Sequence, residues 1–240
     1  MRLKNPLNGF KYAIEGVVHV FRTQRHMKFH FLTMVLVLLV SLVFKLQREE
    51  ILVLMFTITL VLVAEMFNTA LEAITDLVTT SYHPLAKFAK DIAAGAVLIT
   101  TLNALIVGTL LFFGGGRWEM LSKQVQIKAP DPVAISIVGM VLMIASVMIW
   151  KVSGGKGKLW HGGVVSGHTA IGFFFAITIF YLSGRLAAAI VAFLMAILIA
   201  QSRVEARIHT VREVIMGALL GSGVTVLIYY LVGYKLPWPK

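Results

Sequence analysis

ILVLMFTITLVLVAEMFNTALEAITD, residues 51 to 76, opens with fourteen charge-free residues and closes on three carboxylates and an amide: Glu65, Asn68, Glu72 and Asp76. At about 100° per residue of helix these four fall near 0°, 300°, 340° and 20°, a stripe roughly 80° wide along one face. An Asp at mid-helix costs about 2.5–3.5 kcal/mol to insert into a bilayer. The stripe is therefore expected to face a protein interior or a water-filled site and to be compensated by cations. An oily helix with an acidic inner end predicts a membrane protein that carries a polar site.

The whole chain agrees with the first half of that reading. Of its 240 residues 58% are hydrophobic and 14% charged, with a mean hydropathy of +0.86, which excludes a water-soluble globule. It has no cysteine, hence no disulfide, thiolate metal site or sulfur nucleophile. The net charge of +11 does not point to nucleic acid, because the basic residues lie between apolar runs and not in one stripe with stacking aromatics. Anionic lipid head groups and phosphate substrates fit it better. No cleavable signal is expected, since the first thirty residues carry scattered charges and no unbroken apolar core.

Charge-free stretches cover 29–44, 51–64, 92–116, 133–150, 169–184, 186–202 and 214–234. A span needs about 20 mainly apolar residues, so some must extend through polar flanks. This predicts an all-α integral membrane protein of about seven spans. Phe10, Ile14, Val17, Val18 and Phe21 recur at helical spacing with Lys11 and Arg22 on other faces, so an amphipathic surface helix precedes the spans. The polar, Gly- and Pro-bearing stretch 114–132 sets the expected boundary: a three-helix bundle in 1–113, a linker, and a four-helix bundle in 133–240. No internal repeat is visible. Alternation from a cytosolic N-terminus places 14 of the 22 Lys and Arg inside, together with the loops after Leu77, Trp150 and Gln201.

HPLAKFAKDIAAGA, residues 83–96, follows the acidic helix and brings Lys90 and Asp91 to the entrance of the next span. The residues alone leave three readings: a buried polar network, a proton relay in a transporter, or phosphoryl transfer, which requires carboxylates for magnesium and a lysine for phosphate. FKYAIEG (10–16), AEMFNTALEAITD (64–76) and AKDIAAGAVL (89–98) resemble, in order and spacing, the small three-span membrane kinases of the bacterial diacylglycerol kinase and undecaprenol kinase family. The resemblance implies ATP and Mg²⁺, with Glu65 as the base for the lipid hydroxyl and Glu72 as a metal ligand. It places Asn68, Asp76, Lys90 and Asp91 around lipid and nucleotide, and it implies a homotrimer with shared sites. In RTQRHMKFH (22–30) Gln24 stands where the family has a second metal-binding glutamate, and His26 where asparagine is common in the undecaprenol kinases. An amide oxygen ligates magnesium without adding negative charge, which predicts weakened nucleotide binding.

Two polar stretches punctuate the second half: KVSGGKGKLWHGGVVSGHTA (151–170) and SRVEARIHTVRE (202–213). Two spans separate them, so they emerge on one side. Ser166 and Gly167 precede a span, where backbone N–H groups and the helix terminus favour an anion. His209 and Glu213 are four apart, so the carboxylate can hold Nδ1 and leave Nε2 to attack phosphorus, while His168 protonates the leaving oxygen. VSGH and the Ser-Arg to His spacing resemble the second and third signatures of the type 2 phosphatidic acid phosphatase superfamily. That resemblance implies a phosphohistidine on His209, His168 as general acid, Arg203, Ser166 and Gly167 as phosphate holders, and no cofactor. The first signature is degraded to Lys151 and Lys158. Val165 replaces a proline and Glu213 an aspartate.

Kinase and phosphatase acting on one monophosphate would consume ATP to no end. A kinase making undecaprenyl phosphate from the alcohol and a phosphatase making it from the diphosphate converge on one product, which is the favoured reading. Its rivals are a diacylglycerol kinase joined to a phosphatidate or phosphatidylglycerophosphate phosphatase, a proton-coupled or lipid transporter, and a scaffold without turnover. The expected setting is the bacterial inner membrane, with N-terminus and both sites cytosolic.

Overall fold

The computed structural model describes residues 6–116, 131–153 and 164–234, and every regular element among them is helical. In order these are α1 (Pro6–Thr23), α2 (Arg25–Val43), α3 (Arg48–Val78), α4 (Pro84–Phe113) with a 3₁₀ turn at Gly114–Gly116, α5 (Pro132–Ser153), α6 (Gly167–Ser183), α7 (Leu186–Glu205) and α8 (Val211–Val232). The fold is that of an all-α multi-pass membrane protein. Pro6, Pro84 and Pro132 each open a helix, where a missing N–H costs nothing. Ahead of α4, His83 Nδ1 caps the Leu85 amide at 3.3 Å.

Among the described residues six helices are long and apolar enough to cross a membrane: α2, α3, α4, α5, α7 and α8. The expectation was about seven. The seventh apolar helix, α6, has 17 residues, about 26 Å at 1.5 Å per residue, and falls a little short of a hydrocarbon core about 30 Å thick. It is short because it starts at Gly167, inside the polar stretch that carries the candidate phosphate cradle.

The chain divides into two compact units, 1–37 with 49–127 and 38–48 with 128–240. In the first unit Val18 and Phe21 of α1 are buried, and Phe21 meets Phe31 of α2 edge to face at 4.9 Å, whereas Phe10 stays exposed. α3 buries one stripe, Ile51, Leu54, Thr57, Val61 and Glu65, at steps of three and four residues, so Glu65 continues an apolar seam.

In the second unit α6 is the central helix, packed against α5, α7 and α8. Met143, Ala170 and Phe174 form the core. A Cβ on Gly139 would stand 3.0 Å from the Phe174 ring. One on Gly217 would stand 2.5 Å from the Ser166 carbonyl oxygen, and one on Gly221 would overlap the Ala170 carbonyl. These two glycines, four apart on α8, let the backbones of α6 and α8 approach as closely as small-residue seams permit. Also in this unit, the Asp131 side chain caps α5 through the Val133 amide (2.7 Å) and binds Arg48 at 2.9 Å.

Candidate active sites

In the second unit the geometry begins where α7 ends. Arg207 takes a left-handed conformation, φ 54°, and the Arg203 carbonyl accepts the N–H groups of Ile208 and His209, both at 3.2 Å. This tight reversal is why six residues of separation place the Arg203 guanidinium and the His209 imidazole at one helix end. α8 then starts with a capping box: Thr210 Oγ1 accepts the Glu213 N–H, and Glu213 Oε2 accepts the Thr210 N–H at 3.0 Å. The same Oε2 lies 2.9 Å from His209 Nδ1. A carboxylate only accepts, so Nδ1 is the donor in this contact, and a neutral ring so held has its lone pair on Nε2. The ring of His209 is buried.

Across from it, Ser166 caps α6 without a side-chain cap bond. Its N–H donates to the Glu213 main-chain carbonyl at 3.0 Å, and its buried hydroxyl accepts from Thr169 Oγ1 at 3.0 Å. This corrects the expectation that the Ser166 amide points at an anion: Glu213 already occupies it. The first-turn amides of Gly167, His168 and Thr169 are the donors without an intrahelical acceptor. Gly167 permits close approach, since a Cβ there would stand 3.1 Å from Val147. His168 is exposed, within electrostatic reach of Arg203, Lys151 and His209, and Lys151 is within reach of Glu213. Lys158 lies outside the described residues. Sequence reading missed Thr169, Thr210, Gly217 and Gly221. The signals were present, as Thr210-x-x-Glu213 is a capping-box pattern and Gly217-x-x-x-Gly221 a close-packing one.

In the first unit Glu65 is buried and within electrostatic reach of His26 and Glu72. Asn68 Nδ2 donates to Glu72 Oε1 at 3.3 Å. Asp76 pairs with Lys90, which crosses from α4 to meet it, whereas Asp91 pairs with Lys87, a residue not singled out from sequence although the two are four apart. Gln24 occupies the break between α1 and α2, its N–H on the Val20 carbonyl at 2.8 Å. Among the described residues no hydrogen bond joins its side chain to Glu72.

These two arrangements correspond to two family matches. The model of prokaryotic diacylglycerol kinase matches residues 11–112, and that of the PAP2 superfamily matches residues 78–237. The chain belongs to both families. The phosphatase-superfamily match starts before α4, so α4 falls within both. Among curated relatives, a diacylglycerol kinase of Synechocystis sp. is 46% identical over 108 residues, covering 45% of this chain and 62% of that protein. An undecaprenol kinase of Bacillus subtilis is 36% identical over 113 residues, covering 45% of this chain and 92% of that protein. A diacylglycerol kinase of Pseudomonas aeruginosa is 28% identical over 112 residues, covering 47% and 91%. The chain thus spans under two thirds of the Synechocystis kinase and nearly all of the other two. No solved structure matches it. The kinase-family half holds the acidic stripe, and the phosphatase-superfamily half holds the histidine pair.

Proposed function

We propose that the protein acts on membrane lipid phosphates, its phosphatase-superfamily half hydrolysing a lipid diphosphate and its kinase-family half phosphorylating the matching lipid alcohol, so that both yield one lipid monophosphate. Undecaprenyl diphosphate and undecaprenol are the favoured pair. The observation that carries the reading is the His209–Glu213 contact of 2.9 Å beside Arg203 and His168, a nucleophile with its orienting carboxylate, a guanidinium for phosphate and a second imidazole.

In the hydrolysis, His209 Nε2 attacks the terminal phosphorus and forms a P–N bond while the bridging P–O bond breaks. His168 gives its proton to the departing lipid phosphate oxygen. Water then attacks the phosphohistidine, its proton returns to His168, and His209 is regenerated with inorganic phosphate. The Arg203 guanidinium offers two-pronged contact to the phosphoryl oxygens, which a lysine cannot match. No cofactor enters this sequence.

In the kinase-family half, Glu65 takes the proton of the lipid hydroxyl and Lys90 balances phosphate charge. Magnesium suits hard oxygen donors and needs only one or two carboxylates when substrate phosphates complete its shell. The residues fit that demand. Asn68 Oδ1 is buried without a hydrogen-bond partner while its Nδ2 is held by Glu72, so a bare acceptor stands beside a carboxylate. Glu72, with Asn68 Oδ1 and the amide oxygen of Gln24, would hold the ion, which when bound neutralises developing charge on ATP phosphates. Asp76 and Asp91 keep Lys90 and Lys87 in place at the polar end. The membrane-embedded kinase half is expected to work as a homo-oligomer, a trimer by its family, in the bacterial inner membrane with both sites cytosolic.

The test is phosphate release from undecaprenyl diphosphate by protein purified in detergent. Release that vanishes in His209→Ala supports the reading, and turnover unchanged by that substitution removes the phosphatase assignment.

A further inference from the structure

Among the described residues, three helices are preceded by a residue type that caps with a side-chain oxygen: Asp131 ahead of α5, Ser166 ahead of α6 and Thr210 ahead of α8. Asp131 accepts the Val133 amide and Thr210 the Glu213 amide. Ser166 makes no such bond, although serine ranks with the best N-caps and its oxygen ordinarily takes the N–H of the second or third helical residue, here His168 or Thr169. The exception falls at the helix start that the phosphatase reading gives to substrate phosphate.

Thr169 supplies the reason. Its hydroxyl donates to Ser166 Oγ at 3.0 Å, so the side chain of the third helical residue takes the place that its own backbone N–H would hold. Both residues are 0% exposed, and no bulk water competes for the contact. Other threonines in the spans donate to a carbonyl one turn back, as Thr57 does to Val53 and Thr225 to Gly221. Thr169 is held to a different partner from two sides. The Ser166 N–H is fixed on the Glu213 carbonyl at 3.0 Å, and α8 presses so close that a Cβ on Gly217 would stand 3.2 Å from Thr169 Cβ.

A self-capping serine would spoil the cradle. Its oxygen would consume an amide that an anion needs and would set a lone pair against the phosphoryl oxygens. Held by Thr169 instead, Ser166 leaves the His168 and Thr169 amides bare and, having accepted one proton, keeps its own to donate. We infer that Thr169 is a positioning residue of the phosphatase half, its hydroxyl holding Ser166 off the first-turn amides of α6 so that those amides and the Ser166 proton are free for a phosphoryl group. The inference rests on the phosphatase reading given above.

If Thr169 acts only through Ser166, the two positions form a double-mutant cycle. Wild type, Thr169→Val, Thr169→Ser, Ser166→Ala and the double variant Ser166→Ala/Thr169→Val are compared in detergent, with Thr169→Ala carried alongside so that a folding defect in one deletion does not decide the outcome. Orthovanadate affinity is read from the rise of the unfolding midpoint with vanadate concentration, and phosphate release is measured from undecaprenyl diphosphate. Thr169→Val should weaken vanadate and lower kcat/KM for release by about tenfold or more, the scale of one hydrogen bond to a charged group. Thr169→Ser keeps the hydroxyl and should restore most of both. In Ser166→Ala, which has no oxygen to cap with, adding Thr169→Val should change either by less than about twofold. Wild-type affinity in Thr169→Val and Thr169→Ala, no recovery in Thr169→Ser, or the full loss retained in the Ser166→Ala background overturns the inference. No phosphate release by the wild type defeats the phosphatase reading separately, and the vanadate comparison still decides for or against Thr169. No vanadate binding by the wild type overturns both.

Discussion

The backbone N–H of Ser166 donates to the main-chain carbonyl of Glu213 across 3.0 Å. That bond joins the first turn of α6, where phosphate would rest, to the residue whose side chain orients His209. The two parts of the proposed phosphatase site are thereby fixed relative to each other through backbone, which side-chain substitution cannot remove directly.

The spacing is guarded by Gly217. A methyl group there would stand 2.5 Å from the Ser166 carbonyl oxygen and 3.2 Å from Thr169 Cβ. Gly217→Ala should push α8 from α6, lower the thermal unfolding midpoint in detergent by an amount corresponding to about 1–3 kcal/mol, and reduce kcat for phosphate release more than it raises KM.

Glu213→Gln keeps the shape of the capping group but replaces the negative oxygen that faces Nδ1 at 2.9 Å. An amide can present its nitrogen or its oxygen, so the tautomer with a free Nε2 is no longer enforced. Phosphate release should fall by about two orders of magnitude or more, with unfolding little changed because the Thr210 hydroxyl still accepts the Glu213 N–H. Activity equal to the wild type contradicts the orienting role.

Arg207 closes the end of α7 with a left-handed backbone, φ 54°, the position at which helices usually carry glycine. Its N–H reaches the Val204 carbonyl at 2.9 Å and the next N–H reaches Arg203, so the conformation is fixed by the loop and not by the side chain. Arg207→Gly should raise stability by about 1 kcal/mol and leave KM for a lipid diphosphate within about twofold.

Loss of hydration pushes the Asp131 carboxyl up, but the N–H groups of Val133 and Ala134 and the Arg48 guanidinium outweigh it and hold the carboxyl below its ordinary value. A depressed folded pKa contributes stability that is present above the unfolded value of about 3.9 and is lost as pH falls through the folded one. Asparagine caps helices as well as aspartate, so Asp131→Asn isolates the Arg48 pairing. Its unfolding midpoint should lie slightly below wild type at neutral pH and converge on it in acid or in high salt, because Arg48 is half exposed and screened.

How much of this was legible depends on the distance over which each feature is decided. The acidic stripe follows from helical periodicity alone, and α3 carries it as read, whereas His209 lies in the bend two residues ahead of α8 and meets Glu213 across the N-cap, not along one helical face as the spacing suggested. Asp91 illustrates a near miss, since Lys87, four residues before it, is its partner and the spacing was visible. The Ser166 amide was misread because its acceptor belongs to another helix, 47 positions away in sequence. The glycines at 217 and 221 announce a close approach but not the helix that makes it. Arg48 and Asp131 are 83 residues apart, and no local pattern pairs them.

Gln24→Glu restores a carboxylate at the position where the kinase family has its second metal-binding glutamate. Labelling of undecaprenol from radioactive ATP should rise by about tenfold and the magnesium concentration for half-maximal rate should fall, as expected when a charged oxygen replaces an amide. Chelation with EDTA should abolish labelling in both proteins and leave phosphate release untouched.

The central claim is that the two halves meet at one lipid monophosphate. It is tested most directly by thin-layer analysis of products from undecaprenol with labelled ATP and from labelled undecaprenyl diphosphate, run side by side for wild type, Glu65→Ala and His209→Ala. The wild type should give the same monophosphate from both substrates, Glu65→Ala should lose only the product from the alcohol, and His209→Ala only the product from the diphosphate. A monophosphate that is itself consumed by the wild type, or either substitution abolishing both routes in a folded protein, contradicts it.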